Sequence, residues 1–194
     1  MSNERVGYFG FGSLVNRNTL RTNYIDTFPA TLRGWRRHWQ RSLAEPSRDI
    51  ALLSIHRHQA CELKGMLVVD HASNLAAVDE REIGYDRVEL SPDDLVFSDD
   101  TNVPERLFVY VAQEQSDERL HGNLLQSYLD AVLQGFHLEY GEEGIQHFFS
   151  TTIGFNRTMK MDRDFPEYPR SVTLDEVQRT LIDDALSRAM NNHL

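Results

Sequence analysis

Residues 6–15 read VGYFGFGSLV. An apolar, aromatic run meets two glycines one residue apart, then a serine and more apolar residues. The run predicts a short buried strand over 5–11 that ends at Gly12. Gly10 and Gly12, with Val15 three residues on, form a truncated dinucleotide fingerprint. Its third glycine is missing, and no βαβ unit with an acidic ribose contact follows. No Gly-Lys-Ser/Thr triplet is present, which removes a Walker loop. A nucleophile elbow needs glycine two residues after Ser13, where Val15 stands. Two readings remain. One is a strand turning through small residues because bulky neighbours crowd it. The other is a backbone cradle whose successive N–H groups converge on a carboxylate or a developing oxyanion.

Outward from this stretch, 28–42 is rich in aromatics and arginine around Gly34 and predicts a bent or bulged strand. Residues 50–57 and 62–70 are expected to be two strands joined by a polar turn. A helix over 73–83 with Ser73 as N-cap, ended by Gly84, precedes a strand at YDRVELS. A loop covers 91–105, and RLFVYVA (106–112) is a clear strand. From 119 the period changes. Leu120, Leu124, Leu125, Tyr128, Leu129, Val132 and Leu133 form an apolar helical stripe expected to stop near Gly135. A second short helix is expected over 142–153, an irregular segment over 154–172, and a terminal amphipathic helix over 174–190. Strands followed by helices, without βαβ alternation or repeats, define an α+β class. The expectation is a single domain over 1–194 with a mixed, partly barrel-like β-sheet, flanking helices and a mainly helical C-terminal third (about 119–194).

Thirty acidic against twenty basic residues give a formal charge of −10 over 194 residues. That field argues against nucleic acid or an anionic membrane as partner. Cys61 is the single cysteine, so no internal disulfide forms and a reducing compartment fits. No apolar run reaches the roughly 20 residues of a membrane span. The N-terminus lacks a hydrophobic signal core, so a cytoplasmic location is expected.

Three stretches in order resemble one family. Phe11-Gly12-Ser13-Leu14-Val15 is similar to the Tyr-Gly-Ser-Asn/Leu-Leu/Ile signature that follows the first strand in the gamma-glutamylcyclotransferase-like superfamily (AIG2/ChaC-like fold). Gly34-Trp35-Arg36-Arg37 resembles its Gly-Tyr/Trp-Arg-Arg segment. Residues 78–85, VDEREIGY, resemble the segment that holds its catalytic glutamate. The agreement runs over about residues 5–112. This chain departs from the signature at Phe11, where the family usually has Tyr. Backbone donation survives that change; a role for the hydroxyl does not.

The resemblance implies an enzyme that needs no cofactor and no metal. The substrate's own α-amine attacks its γ-carbonyl, releasing 5-oxoproline and a free amine or amino acid. This places the activity among cyclising acyl transfers and amide-cleaving lyases, near glutathione metabolism. Glu82 aligns with the catalytic glutamate that shuttles the proton between the two nitrogens. Phe11, Gly12, Ser13 and Leu14 are implied to cradle the substrate through the backbone, Ser13 adding a hydroxyl. Tyr85 is implied to hydrogen-bond it. Partial burial is expected to raise the Glu82 pKa; Glu80 faces differently and is the decoy. The implied partner is a small γ-glutamyl compound, with monomer and homodimer both open. An inactive γ-glutamyl-binding module and a hydrolase releasing glutamate are the alternatives. The glutathione-specific branch usually has Trp after its Gly-Ser-Leu-Ile, and this chain has Asn16 after Val15.

Other candidates read more simply. His56 and His58 share a strand face without a third ligand at useful spacing, so they are expected to be a surface pair. Arg36 and Arg37 are expected on opposite faces, in surface ion pairs, and Trp35 and Trp39 in the core. Cys61 shows no sign of thiolate stabilisation. The stretch with Asp162-Arg163 and Tyr168-Pro169-Arg170 is either a cover over the site or a plain surface connection.

Overall fold

The computed structural model describes residues 4–42, 47–97, 102–113 and 122–191. Strand β1 (Arg5–Gly10) is buried from Val6 onward on both faces, the pattern of an interior strand. It pairs antiparallel with β3 (Ile50–His71) and parallel with β6 (Arg106–Ala112). Strand β2 (Asp26–Arg41) runs antiparallel along β3, and β4 (Tyr85–Leu90) runs antiparallel to β6. With β5 (Leu95–Val96) the strand order is β4-β6-β1-β3-β2-β5. Short strands β7 (Asn123–Leu125), β8 (Thr152–Ile153) and β9 (Met159–Lys160) add parallel pairings. The described α-helices are α1 (Leu75–Arg81), α2 (Gln126–Ser150) and α3 (Glu176–Asn191). This is a mixed-sheet α+β fold around one apolar core.

The sheet curls back on itself. Ala112 N–H, at the end of β6, donates to Ser54 Oγ of β3 at 3.0 Å. Next to it, Gln40 Nε2 of β2 donates to the Gln113 carbonyl at 2.7 Å. β2 and β3 follow that curve because both bend at Gly34. There the register shifts, and residues 58–61 of β3 face only Gly34 of β2. The polar residues at that bend were expected to form a turn between two strands. Instead β3 is one strand of 22 residues. Those residues are polar because they sit on an exposed bulge, not because the chain reverses.

The C-terminal third differs more from expectation. Leu120 lies outside the described residues, as do 98–101 of the expected loop. Leu124 and Leu125 belong to β7, because Asn123 and Leu124 pair with Ile50 and Ala51. Helix α2 therefore starts at Gln126, and it does not stop at Gly135. A Cβ on Gly135 would stand 2.7 Å from the Asn16 backbone nitrogen, so this glycine marks a close approach within the helix. The run breaks at Gly141, whose φ of 65° suits glycine, and the stretch beyond it to Ser150 is the expected second short helix, with Thr152–Ile153 of its expected range in β8. At α1 the N-cap is Asn74, not Ser73, because a 3-10 turn over Ala72–Asn74 precedes it.

No described helix is long and apolar enough to cross a membrane.

Candidate active site

After β1 the chain turns at Gly12 into a 3-10 turn, Ser13–Val15, that packs on α2. Asn16 fastens it there. Its buried amide donates to the Ala131 carbonyl at 2.8 Å and to Gln134 Oε1 at 2.9 Å. No side chain caps the start of the turn, so its first N–H groups keep their donor capacity. The Phe11 and Leu14 side chains are buried.

The turn is held from below by Arg37, fully buried on β2. Its Nε donates to the Phe11 carbonyl at 2.7 Å and its Nη1 to Thr151 Oγ1 at 2.6 Å, while Nη2 donates to the Lys64 carbonyl. The guanidinium also lies over the Phe136 and Phe148 rings. Burial pulls Arg37 down to about 9, which leaves it charged at neutral pH. The surface ion pair expected for Arg37 is therefore corrected. The bulge at Gly34 puts Trp35, Arg37 and Trp39 on the same inward face, and the arginine is satisfied by carbonyls and rings.

Glu82 is the C-cap residue of α1, its N–H bonded to the Val78 carbonyl at 2.9 Å. Its side chain is 17% exposed and accepts from Arg81 Nε at 2.9 Å. Burial pushes the carboxyl above its usual range, against the opposing charges of Arg81 and Arg170. Arg81 spans from Glu82 to the turn. Its Nη1 donates to the Thr19 carbonyl at 2.8 Å, and Nη2 lies 3.5 Å from Ser13 Oγ. Glu80 is exposed and lines a different depression.

Tyrosines complete the wall. Tyr85 donates to the Leu53 carbonyl at 2.7 Å, and burial holds its phenol far above the usual value. Its proton is thus committed to the sheet. Tyr168 donates to Ser13 Oγ at 2.8 Å, and its ring meets Tyr128 edge-on with centroids 4.9 Å apart. The segment 154–172 is not a plain surface connection, since its Tyr168 and Arg170 line the same cavity as Ser13. Buried Asp162 accepts from Ser127 N–H at 2.8 Å and from Glu167 N–H at 2.9 Å, which pins the loop to the start of α2 and sets Tyr168 over Ser13.

Phe11, Gly12, Ser13, Leu14, Glu82 and Tyr85 all line one cavity, together with Arg81, Tyr128, Tyr168 and Arg170. Its free space is about 80 Å3, room for a few water-sized groups. A wider cleft lies beyond Trp39 and shares none of these residues. The chemistry favours the smaller cavity, because there a buried carboxyl, two guanidinium groups and a backbone turn converge. Sequence reading missed Arg37, Arg81, Tyr128, Tyr168 and Arg170. Tyr128 looked like any apolar helix position, and the signal for Tyr168 and Arg170 was only a proline-stiffened segment of undecided role. No group of three or more His, Cys, Asp or Glu among the described residues is placed to hold a metal ion. Half-buried His56 meets the ring of half-buried His58 edge-on at a centroid distance of 6.5 Å, the pair its spacing suggested, and is also bonded to His38 at 3.1 Å. Cys61 is a free thiol that burial pushes up.

No protein-family model and no curated protein matches this sequence. Solved structures do match it. A structure described as gamma-glutamyl cyclotransferase has a TM-score of 0.58 at 13% identity, over 93% of this chain and 99% of its own. An uncharacterized Homo sapiens protein, loc79017, has the same TM-score of 0.58 at 16% identity, again over 93% and 99%. YkqA from Bacillus subtilis has a TM-score of 0.54 at 16% identity, over 77% of this chain and 56% of its own. At these identities the likeness shows the fold. This chain has the fold of the gamma-glutamyl cyclotransferases.

Proposed function

We propose that the chain is a gamma-glutamylcyclotransferase-type enzyme that cyclises the γ-glutamyl group of a small amide to 5-oxoproline and releases an amine or amino acid. The observation that carries the reading is the Arg81 guanidinium. It is bonded to the Glu82 carboxylate and lies 3.5 Å from the Ser13 hydroxyl, so the base and the turn stand within one small ligand's reach.

The Phe11–Leu14 backbone and the Ser13–Tyr168 hydroxyl pair hold the γ-glutamyl part folded back, with its α-amine against its γ-carbonyl. Such fixing can contribute about 7–11 kcal/mol relative to a bimolecular attack. Binding displaces the Arg81 guanidinium from Glu82. The freed carboxylate takes a proton from the attacking α-amine, the C–N bond of the ring forms, and the γ-carbonyl oxygen becomes an oxyanion facing the turn. Glu82 then returns its proton to the leaving nitrogen as the amide C–N bond breaks. A carboxyl raised by burial suits both directions of that transfer. Tyr168 brings a hydroxyl to the turn, whose usual Tyr is Phe11 here.

The test is incubation of the protein with γ-glutamyl amino acids, γ-glutamyl amines and glutathione, following 5-oxoproline. Release from at least one supports the reading, and no release from the whole panel overturns it. A second reading, a binding module without turnover, is favoured by Phe11 and by the ion pair that occupies Glu82. Saturable binding of a γ-glutamyl compound without product distinguishes it. Free glutamate in place of 5-oxoproline indicates a hydrolase.

A further inference from the structure

A depression of about 360 Å3 adjoins the Glu82 cavity, and Arg81 and Arg170 line both. The inner cavity, about 80 Å3, takes only a few water-sized groups. A γ-glutamyl amide with its reacting end there extends past the two arginines, and the depression is the space beside them.

Charge singles this depression out. In a chain of thirty acidic and twenty basic residues, its wall holds three arginines, Arg21, Arg81 and Arg170, against one acid, the exposed Glu80. Arg81 is engaged by Glu82 and by the Thr19 carbonyl, and the second bond ties the segment that carries Arg21 to the end of α1. The guanidinium groups of Arg21 and Arg170 make no hydrogen bond and no ion pair among the described residues. Arg170 acts on Glu82 only through its charge. Arg21 is exposed and Arg170 half-buried.

The floor has no hydroxyl proton to spare. The Tyr8 hydroxyl and Thr22 Oγ1 both donate to the buried Asp70, at 3.3 and 2.7 Å. Asp70 also accepts from His71 N–H and from Asn74 Nδ2, so its carboxylate is satisfied from within. Recognition therefore falls to the guanidinium forks, whose planar donors match carboxylates. The same wall repels a cationic group.

We propose, resting on the cyclotransferase reading above, that this depression receives the leaving amino acid and selects an acidic one, its α-carboxylate on Arg170 and its side-chain carboxylate on Arg21. The order follows from the lining. Arg170 borders the inner cavity, where the amide breaks, and Arg21 borders the depression alone.

The test compares γ-glutamyl compounds whose leaving part is glutamate or aspartate, with two carboxylates, glutamine or asparagine, with one, and ethylamine, with none. The readout is kcat/KM for 5-oxoproline release by the full-length protein. Each carboxylate is expected to raise it about fivefold at low ionic strength, the gain shrinking as salt is added. Arg21→Gln is expected to erase the advantage of glutamate over glutamine, and Arg170→Gln that of glutamine over ethylamine. Arg106→Gln, which removes an exposed arginine elsewhere, is expected to keep both. Acidic leaving parts no better than their amides overturn the proposal and leave the cyclotransferase reading standing. So does an advantage that survives the loss of its arginine, or one lost equally in Arg106→Gln. If no compound yields 5-oxoproline, that reading falls, and calorimetry with the same compounds and proteins decides the proposal. A preference for the acidic compounds that disappears in Arg21→Gln upholds the site, and equal or absent binding overturns it.

Discussion

Tyr168 and Ser13, 155 positions apart in sequence, meet in a hydrogen bond of 2.8 Å. The bond closes a loop of the C-terminal half over the first turn of the chain, and it supplies a hydroxyl where Phe11 supplies none. Tyr168→Phe keeps the ring against Tyr128 and removes only the donor. Stability is expected to fall by about 0.5–1.5 kcal/mol in urea denaturation. The kcat/KM for 5-oxoproline release is expected to fall about tenfold. An unchanged kcat/KM removes the hydroxyl from the mechanism.

Arg37 is the buried post under the turn. Arg37→Met leaves the Phe11 and Lys64 carbonyls without their donor, and an orphaned buried group costs about 1–3 kcal/mol. The expected loss is therefore about 2–5 kcal/mol for the two carbonyls and the altered packing, read from the urea midpoint. Arg37→Lys keeps the charge but not the fork of donors, and falls between the two. A methionine variant as stable as the wild type contradicts the role.

Gly135 tests the coupling of α2 to the turn. With the Asn16 backbone nitrogen 2.7 Å from a new Cβ, Gly135→Ala forces helix and turn apart. Overpacking of this kind costs about 1–3 kcal/mol, and turnover falls with it. Alanine at Gly141 meets no atom within 4 Å but inherits a φ of 65°. It costs about 1–2 kcal/mol and leaves KM unchanged. Equal effects on KM at the two positions contradict the distinction.

The turn was legible in the sequence because small residues end a strand at Gly12, whereas Glu82 was singled out only by the family resemblance of residues 78–85, local chemistry alone reading 79–82 as a solvated charged face. The strands were legible as well, except where polarity misled. The bulge opposite Gly34 looks like a turn, since an exposed bulge and a reversal both favour polar residues. What stayed hidden depends on contacts distant in sequence. Arg37 resembles any surface arginine until the sheet curls its face inward. Tyr168 becomes part of the site only through Asp162, which pins its loop to Ser127. Gly135 looks like a helix stop because close approach and termination use the same residue.

Two part-buried groups tilt the pH dependence in opposite directions. Glu82 is raised above its usual value near 4.5, so the fold favours its neutral form. Its contribution to stability is complete below that value and is lost as pH rises through the folded pKa. Glu82→Gln, which mimics the protonated acid, should therefore gain on the wild type as pH rises from about 4 to 7. His147 accepts from Lys64 N–H at 3.0 Å, and burial lowers it from 6.5 to about 4. Its contribution is present above 6.5 and lost as pH falls through about 4. His147→Gln retains an acceptor that does not titrate, and should flatten the acid limb. Urea midpoints across that range check both signs.

Glu82→Gln also addresses the chemistry directly. With whichever γ-glutamyl compound the wild type turns over, single-turnover release of 5-oxoproline is measured for both proteins at saturating substrate. The account predicts binding within about threefold of wild type and a rate lower by about 10²–10⁴. A Glu82→Gln protein that releases 5-oxoproline at the wild-type rate contradicts it.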